Sequence, residues 1–212
     1  MRTANKDAPP TVVVIDDDRE VRETLGELLQ SIGLQTALFS SVQEFSRSSR
    51  PDRPGCLVLD VRLPGRSGLD FHDDLVRANV HLPVVFISGH ADVPMSVRAM
   101  KAGAIEFLTK PVRHQELLDA IQAAIERDRV HREQENDVAA IRGSFEKLTQ
   151  RERQVMALVV AGRPNKQIAA EMGLSMTTVK LYRGQVMRKM QAPSLAELVR
   201  MADNLRRSRP NV

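Results

Sequence analysis

Apolar residues in the first half of the chain fall into short β-branched runs separated by stretches of helical period. Residues 11–15 (TVVVI) read as a buried strand, ended by Asp16, Asp17 and Asp18. Val21, Leu25, Leu28, Leu29 and Ile32 then recur at helical spacing, and Gly33 stops the helix. Residues 34–39 form a second short strand, Ser41 caps a helix carrying Val42 and Phe45, and residues 50–55 (RPDRPG) are loop. A third strand over 56–59 (CLVL) ends at Asp60. After a Leu-Pro-Gly turn, Ser67 caps a helix with Leu69, Leu75 and Val76. Residues 83–87 (PVVFI) form the fourth strand, followed by Ser88-Gly89-His90 and a helix over about 93–102 that Gly103 ends. Residues 104–108 form the fifth strand, Thr109-Lys110-Pro111 follows, and a long helix begins near Arg113. Five strands, each followed by a helix, predict a parallel α/β sheet with right-handed crossovers, covered on both faces.

The pattern changes after residue 125. Leu117, Leu118, Ile121 and Ile125 keep an apolar helical face, whereas ERDRVHREQENDVAAIRG has few apolar residues before Val138 and Ile141. This predicts a helical linker running on to Gly143, with a short coiled coil between two chains as the alternative. Beyond it the period is helical throughout. Thr149 and Glu152 have capping-box spacing ahead of Val155, Met156, Leu158 and Val159. Gly162 and Pro164 break that helix, and Asn165 is expected to cap the next one (KQIAAEM), which stops at Gly173. Ser175 caps a helix from Met176 to about Met190, with Val179, Val186 and Met190 as its buried stripe, and Ser194 caps a last helix through Leu205. A short helix, a glycine turn and a second capped helix give helix-turn-helix spacing.

Length and charge agree with two domains. The chain has 212 residues, and from Ser144 to Val212 it carries 13 Lys/Arg against 5 Asp/Glu, a net of +8 in a protein of net +4. The remainder is therefore acidic, so the basic part is the candidate for nucleic acid. Aromatics are 3%, with no Trp and one Tyr (Tyr182), which argues against a stacking platform for single strands. A single cysteine, Cys56, excludes an intramolecular disulfide and a multi-thiolate zinc site; within its apolar strand it reads as a small buried hydrophobe. No stretch is long and apolar enough to span a bilayer, and residues 1–10 lack the apolar core of a signal peptide, so a cytoplasmic protein without membrane contact is expected.

In open parallel sheets, ligands bind at the carboxyl ends of the strands. Those ends carry Asp16 and Asp17, Asp60, Ser88 and, after the fifth strand, Lys110. Three carboxylates together need a cation, and hard oxygen donors suit Mg²⁺, which also favours phosphate oxygens. Asp60 could attack phosphorus as an oxygen nucleophile, with Lys110 neutralising the group in flight and Ser88 hydrogen-bonding the new phosphoryl oxygens. The bland readings are weaker when taken jointly. Asp18 fits a helix cap. Ser88 and His90 lack the G-x-S-x-G setting of a hydrolase nucleophile. Val21 stands where a calcium loop built on Asp16, Asp18 and Glu27 requires glycine.

VVVIDDD, VLDVRLPGRSGLD and VVFISGHADVPMSVRAMKAGAIEFLTKP resemble the receiver domain of two-component response regulators, over residues 9–127. The resemblance implies a flavodoxin-like doubly wound fold with Asp60 as phosphoacceptor. It implies Mg²⁺ held by Asp16, Asp17, Asp60 and the backbone carbonyl of Arg62. Ser88 and Lys110 become the phosphate switch, with Phe107 as the aromatic that rotates inward, and a cis bond precedes Pro111.

LTQRERQVMALVVAGRPNKQIAAEMGLSMTTVKLYRGQVMRKMQAPSLAELVRMA is similar to the LuxR-type helix-turn-helix domain, placed at residues 144–207 after a 128–143 linker. The whole chain resembles the NarL/FixJ class, its FixJ-like branch. That match implies a recognition helix with its core at residues 177–190. It directs Lys180, Leu181 and Gly184 toward bases, and Arg183 toward phosphate or base. Asn165 and Lys166 fall where the preceding helix meets the DNA backbone. Thr177, Arg188 and Lys189 complete the expected DNA set. Tyr182 departs from the histidine frequent there, and the last helix is implied in dimerisation.

The function so implied is a transcription regulator, expected to activate, phosphorylated by a sensor histidine kinase. It would dimerise on phosphorylation, bind double-stranded promoter DNA and meet RNA polymerase. No second catalytic constellation is present, so no enzyme is expected beyond the receiver's own phosphorylation and dephosphorylation. Two rivals use the same residues. One is a regulator that binds DNA without phosphorylation, with the receiver as a dimer scaffold. The other is a phosphate-sink adaptor.

Overall fold

The computed structural model describes residues 9–48, 53–90 and 92–207. Residues 50–52 of the expected loop and the first eight of the chain lie outside them. Two compact units are present, Met1–Arg132 and Glu133–Val212.

The first unit is a five-stranded parallel sheet in the order β2-β1-β3-β4-β5. Its strands are β1 (Thr11–Ile15), β2 (Gln35–Phe39), β3 (Gly55–Asp60), β4 (Val84–Ser88) and β5 (Glu106–Thr109). Its helices are α1 (Arg19–Ser31), α2 (Val42–Arg47), α3 (Gly68–Arg77) and α4 (Val93–Lys101), together with the first part of α5 (His114–Glu146). This is the doubly wound order of the flavodoxin-like fold. The three central strands are buried along their length, whereas β2 and β5 are half-exposed edges. One face of the sheet packs on α1 and α5 through Leu25, Leu29, Leu117 and Ile121. The other packs on α2, α3 and α4 through Val42, Leu69, Phe71 and Ala99.

Helix starts follow the expected capping chemistry. Asp18, Ser41 and Ser67 cap α1, α2 and α3 with their side-chain oxygens. β5 begins two residues later than the sequence pattern suggests, because the Ala104 amide is spent on Ala99 O at the end of α4 and the Ile105 amide, bonded to Val84 O at 2.8 Å, opens the ladder. α5 does not stop at Gly143 but runs to Glu146, since Ile141 and Phe145 pack on the core of the second unit. Its receiver part also extends beyond Ile125. The buried Asp128 carboxylate accepts the Gly55 amide at 3.0 Å and pairs with Arg132 at 2.8 Å.

The second unit holds α6 (Gln150–Val160), α7 (Asn165–Met172), α8 (Met176–Lys189) and α9 (Leu195–Arg207) around Val155, Met156, Ile168, Val179, Val186 and Leu198. Thr149 and Glu152 form the predicted capping box, and Ser175 caps α8. Gly173 ends α7 in the left-handed conformation (φ 64°, ψ 37°), which glycine adopts without steric cost and which turns the chain into α8. One expectation is corrected: Asn165 does not cap α7. Pro164 is the N-cap and makes no side-chain cap bond, while Asn165 is the first helical residue. The Asn165 amide oxygen is engaged elsewhere, by Arg183.

Candidate functional site

The carboxyl ends of the central strands converge as the sequence suggests. Asp16 follows β1 and is fully buried; its Oδ1 accepts the Asp18 amide at 3.0 Å, and its carbonyl accepts Arg22 Nη1 at 2.6 Å. Asp60 ends β3 at 5% exposure. The Val61 amide donates to Ile87 O at 3.1 Å, and the Gly68 amide returns to Val61 O at 3.0 Å. A Cβ on Gly68 would lie 2.2 Å from the Asp60 carbonyl oxygen, so only glycine lets α3 start this close to the strand end. The Arg62 amide fixes Asp60 Oδ2 at 2.9 Å.

Lys110 joins the two carboxylates. Its amide donates to Ser88 O at 2.8 Å, the peptide that follows it to Pro111 is cis, and its ammonium lies 2.6 Å from Asp16 Oδ2 and 3.0 Å from Asp60 Oδ1. Burial pushes the Asp60 carboxyl up, against the Lys110 ammonium, and Asp16 adds to the rise. Burial draws Lys110 down, but the hydrogen bonds and charges of Asp16 and Asp60 together hold it above the ordinary lysine value. Asp17 is exposed beside this cluster. Ser88 is 1% exposed and occupied by its own loop: its hydroxyl donates to His90 O at 3.1 Å and accepts the His90 amide at 3.3 Å. Phe107, half-buried on β5, lies 6.2 Å from the Phe86 ring.

Among the described residues, no three His, Cys, Asp or Glu side chains form a closed metal cage. The donor chemistry nevertheless fits Mg²⁺, which keeps several waters and takes only one or two carboxylates. Two buried carboxylate oxygens already share one cation, Lys110, with Asp17 next to them. Arg22, holding the Asp16 carbonyl, was not anticipated. Only its place in the first turn after an acidic triplet hinted at it.

A second surface lies on α8. At 100° per residue, Thr177, Lys180, Leu181, Gly184 and Arg188 fall within an arc of about 100°, and all five are exposed. Lys166 is exposed on the first turn of α7, and Arg183 Nη1 donates to Asn165 Oδ1 at 2.6 Å, tying α8 to the start of α7. Lys189 does not join this face. Its ammonium is 2.6 Å from Glu152 Oε2, on the side of α8 opposite Lys180, and Glu152 is 2% exposed. Tyr182 packs on the domain core.

A third surface is the outer stripe of α4. There Val93, Val97 and Met100 are exposed at helical spacing.

Two family models match this chain: the response regulator receiver domain over residues 12–122, and the bacterial regulatory proteins of the luxR family over residues 146–202. The chain is 55% identical to Nodulation protein W of Bradyrhizobium diazoefficiens over 194 residues, covering 92% of this chain and 86% of that one. It is 43% identical to response regulator protein TodT of Pseudomonas putida over 202 residues, covering 95% and 89%. The solved structure of the response regulator StyR superposes with a TM-score of 0.82 at 45% identity, covering 92% of this chain and 99% of that one. Among the described residues, no helix is long and apolar enough to cross a membrane.

Proposed function

Because the chain belongs to the NarL/FixJ class of two-component response regulators, joining a receiver to a LuxR-type DNA-binding domain, we propose that phosphorylation of Asp60 switches it into a dimer that binds promoter DNA. Residues 9–127 carry the phosphorylation function, 128–143 the helical connection and 144–207 the DNA contacts. The observation that carries this reading is the buried Asp16–Lys110–Asp60 cluster at the carboxyl edge of the sheet.

Asp60 is the phosphoacceptor. One of its carboxylate oxygens bonds phosphorus as the P–N bond of a phosphohistidine on a sensor kinase breaks, and the imidazole leaves with the electron pair. A small phosphodonor reacts in the same way through its P–O bond. The Arg62 amide holds Oδ2 and so orients the carboxylate, and positioning of this kind supplies much of the rate in phosphoryl transfer. Lys110, already in contact with Oδ1, transfers its hydrogen bond to a phosphoryl oxygen. Mg²⁺ held by Asp16, Asp17, Asp60 and the Arg62 carbonyl would offset the charge of the incoming group.

Ser88 then gives up the His90 carbonyl and donates to the phosphoryl group. Its strand neighbour β5 carries Phe107, which turns inward as the Ser88 loop moves. These shifts bias a pre-existing two-state equilibrium. The α4 stripe of Val93, Val97 and Met100 provides apolar surface for the dimer. Two DNA-binding domains then engage two half-sites, with counterion release supplying much of the affinity, and RNA polymerase is the expected downstream partner in the cytoplasm.

The test is intact mass after incubation with acetyl phosphate and Mg²⁺. Wild type gains one phosphoryl group and Asp60→Asn gains none. A wild type that gains nothing, or an Asp60→Asn variant that gains the same mass, contradicts the reading.

A further inference from the structure

The exposed stripe of α8 is unusual in what it lacks. Its five residues include no Asn, Gln, Asp or Glu, the side chains that pair with adenine or cytosine edges in the major groove, and Gln185, half-buried, stands beyond the edge of this arc. Its middle is apolar. Leu181 is 60% exposed, although the core of this domain is closed without it. Gly184, one turn further on, is unexplained by the fold. Its backbone is in the ordinary negative-φ range, and a Cβ there would meet nothing within 4 Å. Glycine within a helix lowers helix stability relative to alanine, so its use here points to an approach from outside the molecule. Lys180 and Arg188 flank this bare patch with positive charge.

We infer that α8 reads thymine in its half-site. Leu181 packs on a thymine 5-methyl group, and Gly184 lets that base edge come close to the helix backbone. Apolar contact with the 5-methyl group is how a side chain without hydrogen-bonding atoms, such as Leu181, distinguishes thymine in the major groove. The inference rests on the proposed DNA-binding function and specifies how that surface selects its sequence.

The test begins with duplexes selected from a randomised pool by the full-length protein in Mg²⁺ and beryllofluoride. Each selected duplex is then remade with deoxyuridine in place of single thymines, which removes only the methyl. Losing one buried methyl corresponds to about fourfold in affinity. Wild type is expected to lose about fourfold at one or two thymines per half-site, and Leu181→Ala is expected to bind more weakly and to ignore the same replacement. Gly184→Ala, which favours the helix, is expected to raise thermal stability, weaken the selected duplex tenfold or more, and leave an unrelated duplex unaffected. Wild type indifferent to deoxyuridine at every position overturns the inference while leaving DNA binding intact, as does Gly184→Ala with unchanged affinity. A selection that enriches no sequence overturns the DNA-binding reading itself, and this inference with it.

Discussion

Removing the Glu152 carboxylate should destabilise the DNA-binding unit without touching any DNA contact. Glu152 Oε2 accepts Lys189 Nζ at 2.6 Å and the Thr149 amide at 2.7 Å, inside the capping box of α6. Burial works to push its carboxyl up, but Lys189 and Thr149 hold it below the usual carboxylate range. Glu152→Ala loses a buried hydrogen bond to an N-terminal amide, about 1 kcal/mol. It also strands an ammonium that remains 31% exposed and therefore rehydrates in part. Breaking a fully buried pair costs about 3–5 kcal/mol, so about 2 kcal/mol is reasonable for this half-open one. The total, about 3 kcal/mol, corresponds to a Tm shift of roughly 12–24 °C in a domain of this size.

Scanning calorimetry of the full chain at several pH values is the assay. In wild type the depressed pKa makes Glu152 stabilising above the ordinary carboxylate value near ~4.3, and that stability is lost as pH falls through the folded pKa. Lys189→Met removes a group that holds the carboxyl down, so its pKa rises and this variant loses less stability than wild type as pH falls. Because Lys189 is turned away from the exposed face, its loss should leave the salt dependence of DNA binding unchanged, whereas Lys180→Ala should reduce the slope by about one. A Glu152→Ala shift of a degree or two, or a lowered salt slope in Lys189→Met, would refute the reasoning.

Two further outcomes follow from the receiver. His72 on α3 is 4% exposed, with its ring edge-on to Phe86 at 5.5 Å, and burial holds its pKa below the ordinary histidine value despite Asp73. The unfolded chain therefore takes up the proton first, so urea midpoints of the receiver should fall as pH drops below about 6.5 and His72→Leu should flatten that fall; an unchanged slope contradicts it. Val97→Glu places a charge in the exposed apolar stripe of α4, and should abolish dimerisation in beryllofluoride while leaving phosphorylation of Asp60 by acetyl phosphate intact. A dimer of undiminished mass would place the interface elsewhere.

Much of this architecture was legible because the strands that matter are buried on both faces. TVVVI, CLVL and PVVFI are short, apolar and mostly β-branched, which selects strand over helix, and the residue ending or following each run stands where an open parallel sheet opens to solvent. The edge strands were less sharp. Ala104 is core without being ladder, so apolar character overshot the start of β5. Asn165 is a good cap by type, but Pro164 already supplies the extended backbone, and the Asn165 amide oxygen serves Arg183 instead. Lys189 resembled its basic neighbours in composition. Its phase opposite Lys180 and the buried acid at the third capping position of α6 set it apart, and both are in the sequence once the two helices are known to pack together. Asp128 gave no signal: a lone acid in a charged helix becomes a buried anchor only because the Gly55 amide lies against it.

The central claim is that the Asp60 carboxylate controls assembly. The most direct measurement is molar mass by light scattering in Mg²⁺, with and without beryllofluoride, for wild type and Asp60→Ala. The account predicts a monomer that becomes a dimer with beryllofluoride in wild type alone. Dimerisation of Asp60→Ala under the same conditions, or a wild type whose mass never changes, would contradict it.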